Sequence, residues 1–458
     1  MARVQTTAAP IYFGNHADTK RTISDSSDAH VMTIAPTGAG KGRTSIIPNL
    51  LEWPGSVFVI DPKGENAEHT SKHRRDGMGQ EVFVLDPFGI TRVGGQPVKS
   101  ACFNPLRFVE LGPSGITQAD RIADTLIIRE KGENRFFSDE ARILLKTLIL
   151  HVRTHPTFED RRNLVTVNEL ASRPSTLLAE GSEFLTNPSY DGLIARLSWR
   201  MKDKSEKEGG SVWSTVQANL GQFLDDPRLA ENLKRCDFDF AELLKGKTSI
   251  FVVLPAPYLE TFSRWLRLLV GCALDRLLSA GMGESRRAAV PVLMVLDEFA
   301  HLGELEAIKT AYGLARGAGI KIWAILQSLS QLDDIYGEHG RENFVANSGA
   351  IEVFNLNDNF GCRYFSEKIG EVYVEVRTNS TSLGMDPETS DGRGYGGKVS
   401  SVTRNQNTQQ ERRMRMLPWQ LAQLGANKKL VFRRDQDFII VEKVQWDTHP
   451  VLSKLVKQ

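Results

Sequence analysis

A chain of 458 residues with 41% hydrophobic and 25% charged residues is long enough for more than one core, and it has the make-up of a globular protein rather than of a low-complexity one. Fifty-seven basic residues balance 56 acidic ones, a formal net charge of +1, so no overall field selects or rejects nucleic acid. Cys102, Cys236, Cys272 and Cys362 form no C-x-x-C pair, which points away from a zinc site or disulfide framework and toward a reduced, cytosolic setting. No apolar run nears the ~18 residues that span a bilayer, and the start lacks a basic-then-apolar leader, so no transmembrane segment is expected in this chain.

Residues 1–29 are polar and read as an arm or short hairpin entering the core. His30-Val31-Met32 begins an apolar strand that runs into Thr33 to Arg43, T-I-A-P-T-G-A-G-K-G-R, and then into a helix carrying Ile46, Ile47 and Leu50. A strand, a small-residue loop, Gly-Lys and a helix make a phosphate cradle, because successive backbone N–H groups and the helix N-terminus face the anion. The candidate nucleotide-binding residues are therefore Pro36, Thr37, Gly38, Ala39, Gly40, Lys41, Gly42 and Arg43. The full P-loop pattern asks for Gly at Ala35 and a hydroxyl at Gly42; Thr37, Thr44 and Ser45 are nearby substitutes for that hydroxyl, and the choice among them stays open. The competing reading of this stretch is a Gly-rich turn after a buried strand.

Trp53-Pro54-Gly55 turns, Ser56 to Ile60 is a buried strand, and Asp61-Pro62-Lys63-Gly64 has the residues of a type I turn. Glu81 to Leu85 repeats the plan and ends on Asp86-Pro87. Alternating strands and helices predict a parallel sheet with ligands at the carboxyl ends of its strands. Ala35 to Gly42, Ile47 to Leu50, Trp53 to Ser56, Asp61 to Glu65, Asp86 to Phe88 and Phe103 to Leu106 resemble the VirD4/TraG family, the coupling ATPases of type IV secretion and bacterial conjugation. That family is similar in tolerating Gly after the P-loop Lys. Its members usually carry transmembrane helices ahead of the P-loop, where this sequence has only residues 1–29; the resemblance then implies a soluble member recruited by a membrane partner, or a fragment.

From Ile116 to Phe238 the apolar spacing is helical, as at Ala141, Leu144, Leu145, Leu148 and Ile149. Lys202 to Glu208 reads as a solvated, charged loop within it. This segment resembles the all-α domain of the coupling ATPases, which in that family engages substrate at the mouth of a hexamer. Sheet texture returns at Lys247 to Pro255, and a long amphipathic helix follows with Leu266, Leu269, Val270, Ala273 and Leu277 on one face. Val290 to Leu296 is an apolar run ending on Asp297-Glu298, the Walker B arrangement: an acidic pair at the end of a buried strand is costly unless it meets a cation or a donor. Asp297 is then the magnesium residue, Glu298 orients or deprotonates the attacking water, and Lys41 neutralises phosphate charge. The competing reading makes Asp297 a helix cap and Glu298 a surface carboxylate. Ile320 to Leu326 is one more buried strand, ending on Gln327, whose amide either contacts the γ-phosphate or satisfies backbone groups at the strand end. Asp297 to Leu305, Ala315 to Gly319, Leu326 to Leu332 and Ile335 to Gly337 are the closest part of the family likeness.

Arg377 to Gln410, rich in Ser, Thr, Asn and Gly, is expected to be an exposed loop, closed by the basic cluster Arg412, Arg413 and Arg415. Two strands, near Lys429 to Arg433 and Phe438 to Val441, are expected to end the fold. The reading is an α/β chain, a RecA-like P-loop NTPase with a mostly parallel central sheet and an inserted all-α domain: arm 1–29, nucleotide-binding domain 30–115 and 240–458, helical domain 116–239. The resemblance implies a DNA-dependent ATPase using ATP and Mg²⁺, a homo-hexamer at the inner face of the bacterial membrane, and an arginine supplied by a neighbour, with Arg264, Arg267 and Arg316 as candidates. Its implied partners are DNA, single-stranded, or a relaxase–DNA complex, and secretion or membrane-anchoring components. The alternatives are a nucleotide-binding recruitment platform with little turnover and an FtsK/HerA-like duplex DNA translocase.

Overall fold

The computed structural model describes residues 9–129, 132, 135–281, 290–386 and 398–457. The chain divides into two compact units, Met1–Phe354 with Ala426–Gln458, and Asn355–Gly425.

The first unit is built on a sheet of eleven strands. From one edge to the other they are Thr22–Asp25, Ile11–His16, Ile439–Glu442, Lys428–Arg433, Ser348–Val353, His30–Ile34, Ile320–Leu326, Val292–Leu296, Val57–Ile60, Thr248–Val252 and Glu81–Leu85. Strands from Ser348–Val353 to Glu81–Leu85 pair in parallel, and the rest antiparallel, giving the α/β class expected. The central strands are buried along their whole length, which is why they read as unbroken apolar runs rather than as alternating patterns. One polar exception is Lys321, whose buried ammonium reaches Asp25 at 3.1 Å and the Ser27 carbonyl at 2.7 Å. Ile46, Leu50, Val31, Val59, Val295, Trp323 and Ile325 close a core between the P-loop helix and one sheet face.

Residues 11–25 are a hairpin whose first strand pairs with Ile439–Glu442, so this part of the expected arm extends the sheet edge; residues 1–8 lie outside the described residues. Between Pro113 and Asn232 the ordered elements are helices. Arg135–Thr154 buries Ala141, Leu144, Leu145, Leu148 and Ile149 at the predicted spacing, and Asn163, Ser205 and Asp226 cap the helices that follow them. The charged run Lys202 to Glu208 is not all loop: a helix starts at Glu206, and Lys204 is tied to Glu208 and, at 3.2 Å, to Glu140. A buried carboxylate at Glu140 needs such a cation, a demand that local charge content does not reveal.

The second unit corrects another expectation. Glu371–Asp386 and Lys398–Met414 form a long antiparallel ribbon, with Arg377 opposite Thr408. The ladder uses backbone groups and Thr and Val side chains, so it needs few of the apolar anchors whose scarcity suggested a loop. The calls on 387–397 lie outside the described residues.

Candidate functional site

The order of three strands brings the two decisive motifs together. Ile320–Leu326 lies between the P-loop strand His30–Ile34 and the Walker B strand Val292–Leu296, with Leu326 opposite Ile34 and Ala324 opposite Leu296. All three end on the same side of the sheet, so the loops at 35–43, 297–303 and 327–329 converge.

Ala35 sits where the P-loop pattern asks for Gly; its N–H continues the ladder to the Leu326 carbonyl at 3.0 Å, and the residue is fully buried. The turn itself uses the glycines: Gly38 and Gly40 have φ of 78° and 85°, a region that L side chains enter only with strain. The Pro36 carbonyl accepts from the Ala39 N–H at 3.2 Å, and the Ala39 carbonyl accepts from Lys443 Nζ at 3.3 Å. The chain then enters a wide turn over Gly42–Ile46 and the helix Ile47–Glu52. A Cβ at Gly42 would meet nothing within 4 Å, because that face opens on a cavity of about 510 Å³.

Thr37, Gly38, Gly40, Lys41, Gly42 and Arg43 line this cavity together with Asp61, Lys63, Asn66, Asp297, Glu298, His301 and Gln327. Lys41 Nζ lies 3.3 Å from Glu298 Oε1 and 3.9 Å from Asp297 Oδ1, and Gln327 Nε2 donates to Glu298 Oε2 at 2.8 Å. Glu298 itself adopts φ 55°, a left-handed conformation uncommon for a residue with a side chain. Arg43 faces the rim, where its guanidinium pairs with Asp447 at 2.8 and 2.5 Å. Of the three hydroxyls near the missing P-loop Ser/Thr, Thr37 lines the cavity; Thr44 donates to the Gly40 carbonyl at 2.9 Å, and Ser45 accepts from the buried Lys429 at 3.1 Å. A larger groove, about 660 Å³, lies along the edge strand Glu81–Leu85; Arg75, Lys99, Arg235 and Asp237 line it beside Val82, Val84 and Val98, but it holds neither a glycine loop nor a pair of strand-end carboxylates. Chemistry, not size, locates the site.

Burial pushes the Asp297 carboxyl up to about 6 despite the nearby Lys41, and burial pushes Asp61 up to about 7 despite bonds from the Ala67 N–H and the Asn66 amide. In so dry a place each carboxyl is ionised only at a cost, which a nearby cation would offset. A divalent ion of the Mg²⁺ type, which takes one or two carboxylates and otherwise phosphate oxygens and water, fits Asp297 beside the open phosphate cradle.

Sequence reasoning placed Asp61 and Lys63 in a turn without connecting them to the site, and did not reach Asn66. The usable signal was positional: Asp61 ends a buried parallel strand just as Asp297 does. His301 was missed, and its Nδ1 stands 3.9 Å from Glu298 Oε2. Among the arginines considered for a neighbour's site, Arg267 is corrected: it is buried, and its Nε and Nη1 are held by the carbonyls of Thr125, Leu302 and Glu304 within its own chain. Arg264 donates to Asn219 Oδ1 at 2.9 Å, and exposed Arg316 pairs with Asp28 at 2.7 Å.

The family model described as "Type IV secretory system Conjugative DNA transfer" matches residues 2–455. The chain belongs to this conjugative DNA transfer family. Within it, the chain is 31% identical over 380 residues to protein VirD4 of Rhizobium radiobacter, covering 82% of this chain and 52% of that protein. It is 28% identical over 396 residues to the conjugal transfer protein TraG of Escherichia coli, covering 82% and 61%. The chain thus spans about half the length of the VirD4 relatives it matches. Its fold is that of the conjugative coupling protein TrwBdeltaN70 in its unbound form, with a TM-score of 0.63 at 17% identity, covering 92% of this chain and 86% of that one. TrwB in complex with ADP and Mg²⁺ matches with a TM-score of 0.62 at 17% identity, covering 92% and 87%. The family membership and these neighbours establish the RecA-like NTPase fold with its mostly parallel sheet. No described helix is long and apolar enough to cross a membrane.

Proposed function

We propose that this chain is an ATP-hydrolysing coupling protein that recruits a DNA or DNA–protein substrate and drives it into a type IV secretion or conjugation channel. The observation that carries the reading is the position of Glu298, a carboxylate bracketed by Lys41 and Gln327 over a phosphate-binding loop in one cavity. Family membership supports the coupling role, and the nucleotide and Mg²⁺ complexes of TrwB support ATP and Mg²⁺ as ligands.

In this mechanism the N–H groups of residues 38–43 cradle the phosphates and Lys41 binds their β- and γ-oxygens. Binding draws Lys41 away from Glu298, so the pair now closed at 3.3 Å opens and the carboxylate becomes free to accept a proton from water. Gln327 holds the second carboxylate oxygen and fixes its direction, and it reports loss of the γ-phosphate to its own strand. Asp297 would hold Mg²⁺, which when bound would neutralise charge on the phosphates. Thr37 is the hydroxyl best placed to serve in place of the one Gly42 lacks. The working form is a homo-hexamer at the inner face of the bacterial membrane, acting on single-stranded DNA or a relaxase–DNA complex together with secretion or anchoring components.

The test is the ATPase rate against added single-stranded and duplex DNA, with Lys41→Ala and Glu298→Gln as controls. Stimulation by single strands that both substitutions abolish supports the proposal. A preference for duplex selects the FtsK/HerA-like translocase, and bound ATP without turnover selects the recruitment platform.

A further inference from the structure

Arg267 lies on the helix Ser263–Gly281 and is 4% exposed. Its guanidinium forms no close ion pair among the described residues; it is pulled down to about 10, chiefly by burial, and its Nε and Nη1 donate to three backbone carbonyls. Nε donates to the Thr125 carbonyl at 3.1 Å, and Nη1 donates to those of Leu302 and Glu304 at 2.6 and 2.8 Å. Thr125 is near the end of Pro113–Leu126, the first helix of the helical segment, whereas Leu302 and Glu304 follow the Walker B strand. One buried side chain therefore joins both.

The link back to the nucleotide cavity is short and stiff. A single tight turn, Phe299–Leu302, separates Glu298 from Leu302, with the His301 N–H bonded to the Glu298 carbonyl at 3.0 Å and the Gly303 N–H to that of Ala300 at 3.0 Å. Tyr336 grips the same loop through the Gly303 carbonyl and the Leu305 N–H. On the far side the contact is equally close: a Cβ at Gly271 would lie 2.3 Å from Thr125 Cγ2, so the two helices touch without slack. Asp124, beside Thr125, pairs with Arg142 at 3.1 Å on Arg135–Thr154.

We propose that Arg267 is a positioning residue, a strut that transmits nucleotide-driven movement of the Glu298–Glu304 loop to the Pro113–Leu126 helix of the helical segment. This rests on the ATPase reading of the cavity. A buried arginine whose Nε and Nη1 bridge the two segments suits the role, since the three carbonyls cannot shift independently without stranding a charged donor, which costs more than moving together.

The test is hydrogen exchange of the full chain with Mg²⁺ and either ADP or a non-hydrolysable ATP analogue. In the wild type, exchange at both 302–305 and 113–128 should differ between the two nucleotides by about threefold or more. In Arg267→Lys and Arg267→Gln the difference at 302–305 should persist and that at 113–128 should vanish. Wild-type exchange at 113–128 that ignores the nucleotide, or a difference that survives both substitutions, overturns the proposal. Should both variants unfold, the wild-type comparison decides alone. Absence of nucleotide binding in the wild type would instead overturn the ATPase reading, so the two failures are distinct.

Discussion

Gln327 and Glu298 meet through a 2.8 Å hydrogen bond, although 29 positions separate them in the chain. The bond exists because the strand ending at Gln327 lies beside the one ending at Asp297, and it leaves Glu298 with one oxygen on an amide and the other on Lys41. A carboxylate held this way is aimed before substrate arrives.

Gln327→Ala should free that oxygen while leaving the P-loop intact. Steady-state ATPase is expected to show kcat about tenfold lower with KM nearly unchanged, the pattern of an interaction needed in the transition state. A raised KM at constant kcat would assign Gln327 to binding instead.

Glu298→Gln should lower kcat by roughly 10²–10³-fold, in the range seen when a group aimed at the reacting atoms is lost. Equilibrium titration with a fluorescent ATP analogue should find binding retained or tightened, because Lys41 no longer has to leave an ion pair to meet phosphate.

Gly40, at φ 85°, should not tolerate a side chain. Gly40→Ala carries a left-handed penalty of about 1–2 kcal/mol and relaxes the loop, so nucleotide affinity should fall about tenfold with the melting temperature little changed. Calorimetric titration with ADP measures it.

Asp61 supplies a pH signature. Burial raises its carboxyl to about 7, whereas an unfolded chain ionises it near 4, so over that window the folded state keeps a proton that the unfolded state has lost. Stability from this group is thus fully present below about pH 4 and is lost as pH rises through about 7. Asp297, raised to about 6, acts with the same sign. Without nucleotide or Mg²⁺, the melting temperature of the wild type should fall between pH 5 and pH 8, and Asp61→Asn should shrink that fall by roughly 2–5 °C.

Lys429 and Glu352 form an ion pair at 2.6 Å with neither side chain exposed, and Lys429 also reaches Ser45 behind the P-loop. Lys429→Met strands a buried carboxylate and should destabilise by about 3–5 kcal/mol in denaturant unfolding. Lys429→Met with Glu352→Gln should recover much of that loss, because no buried charge then remains.

Several elements were legible because their cause is local. A short apolar run such as Val292 to Leu296, bounded by Pro291 and Asp297, reads as a covered strand, and Gly38 and Gly40 beside Lys41 mark a tight turn of the kind that cradles anions. The ribbon of Glu371–Asp386 and Lys398–Met414 was illegible for the opposite reason, since its pairing lies in main-chain groups that every sequence has. Arg267 was misjudged because an arginine on a helix carries no sign of whether its neighbours are water or carbonyls.

By itself the sequence determined the glycine loop ahead of Lys41, the acidic pair after a buried strand, the α/β class and the family likeness, all of which follow from residue type and short spacing. Only the tertiary structure decided that Gln327 holds Glu298, that Asp61 and His301 share the cavity, and that Arg267 ties the helical segment to the Walker B loop. Strand order and burial arise from contacts between distant parts of the chain, and those contacts set which polar groups face a ligand and which spend their hydrogen bonds inside the fold.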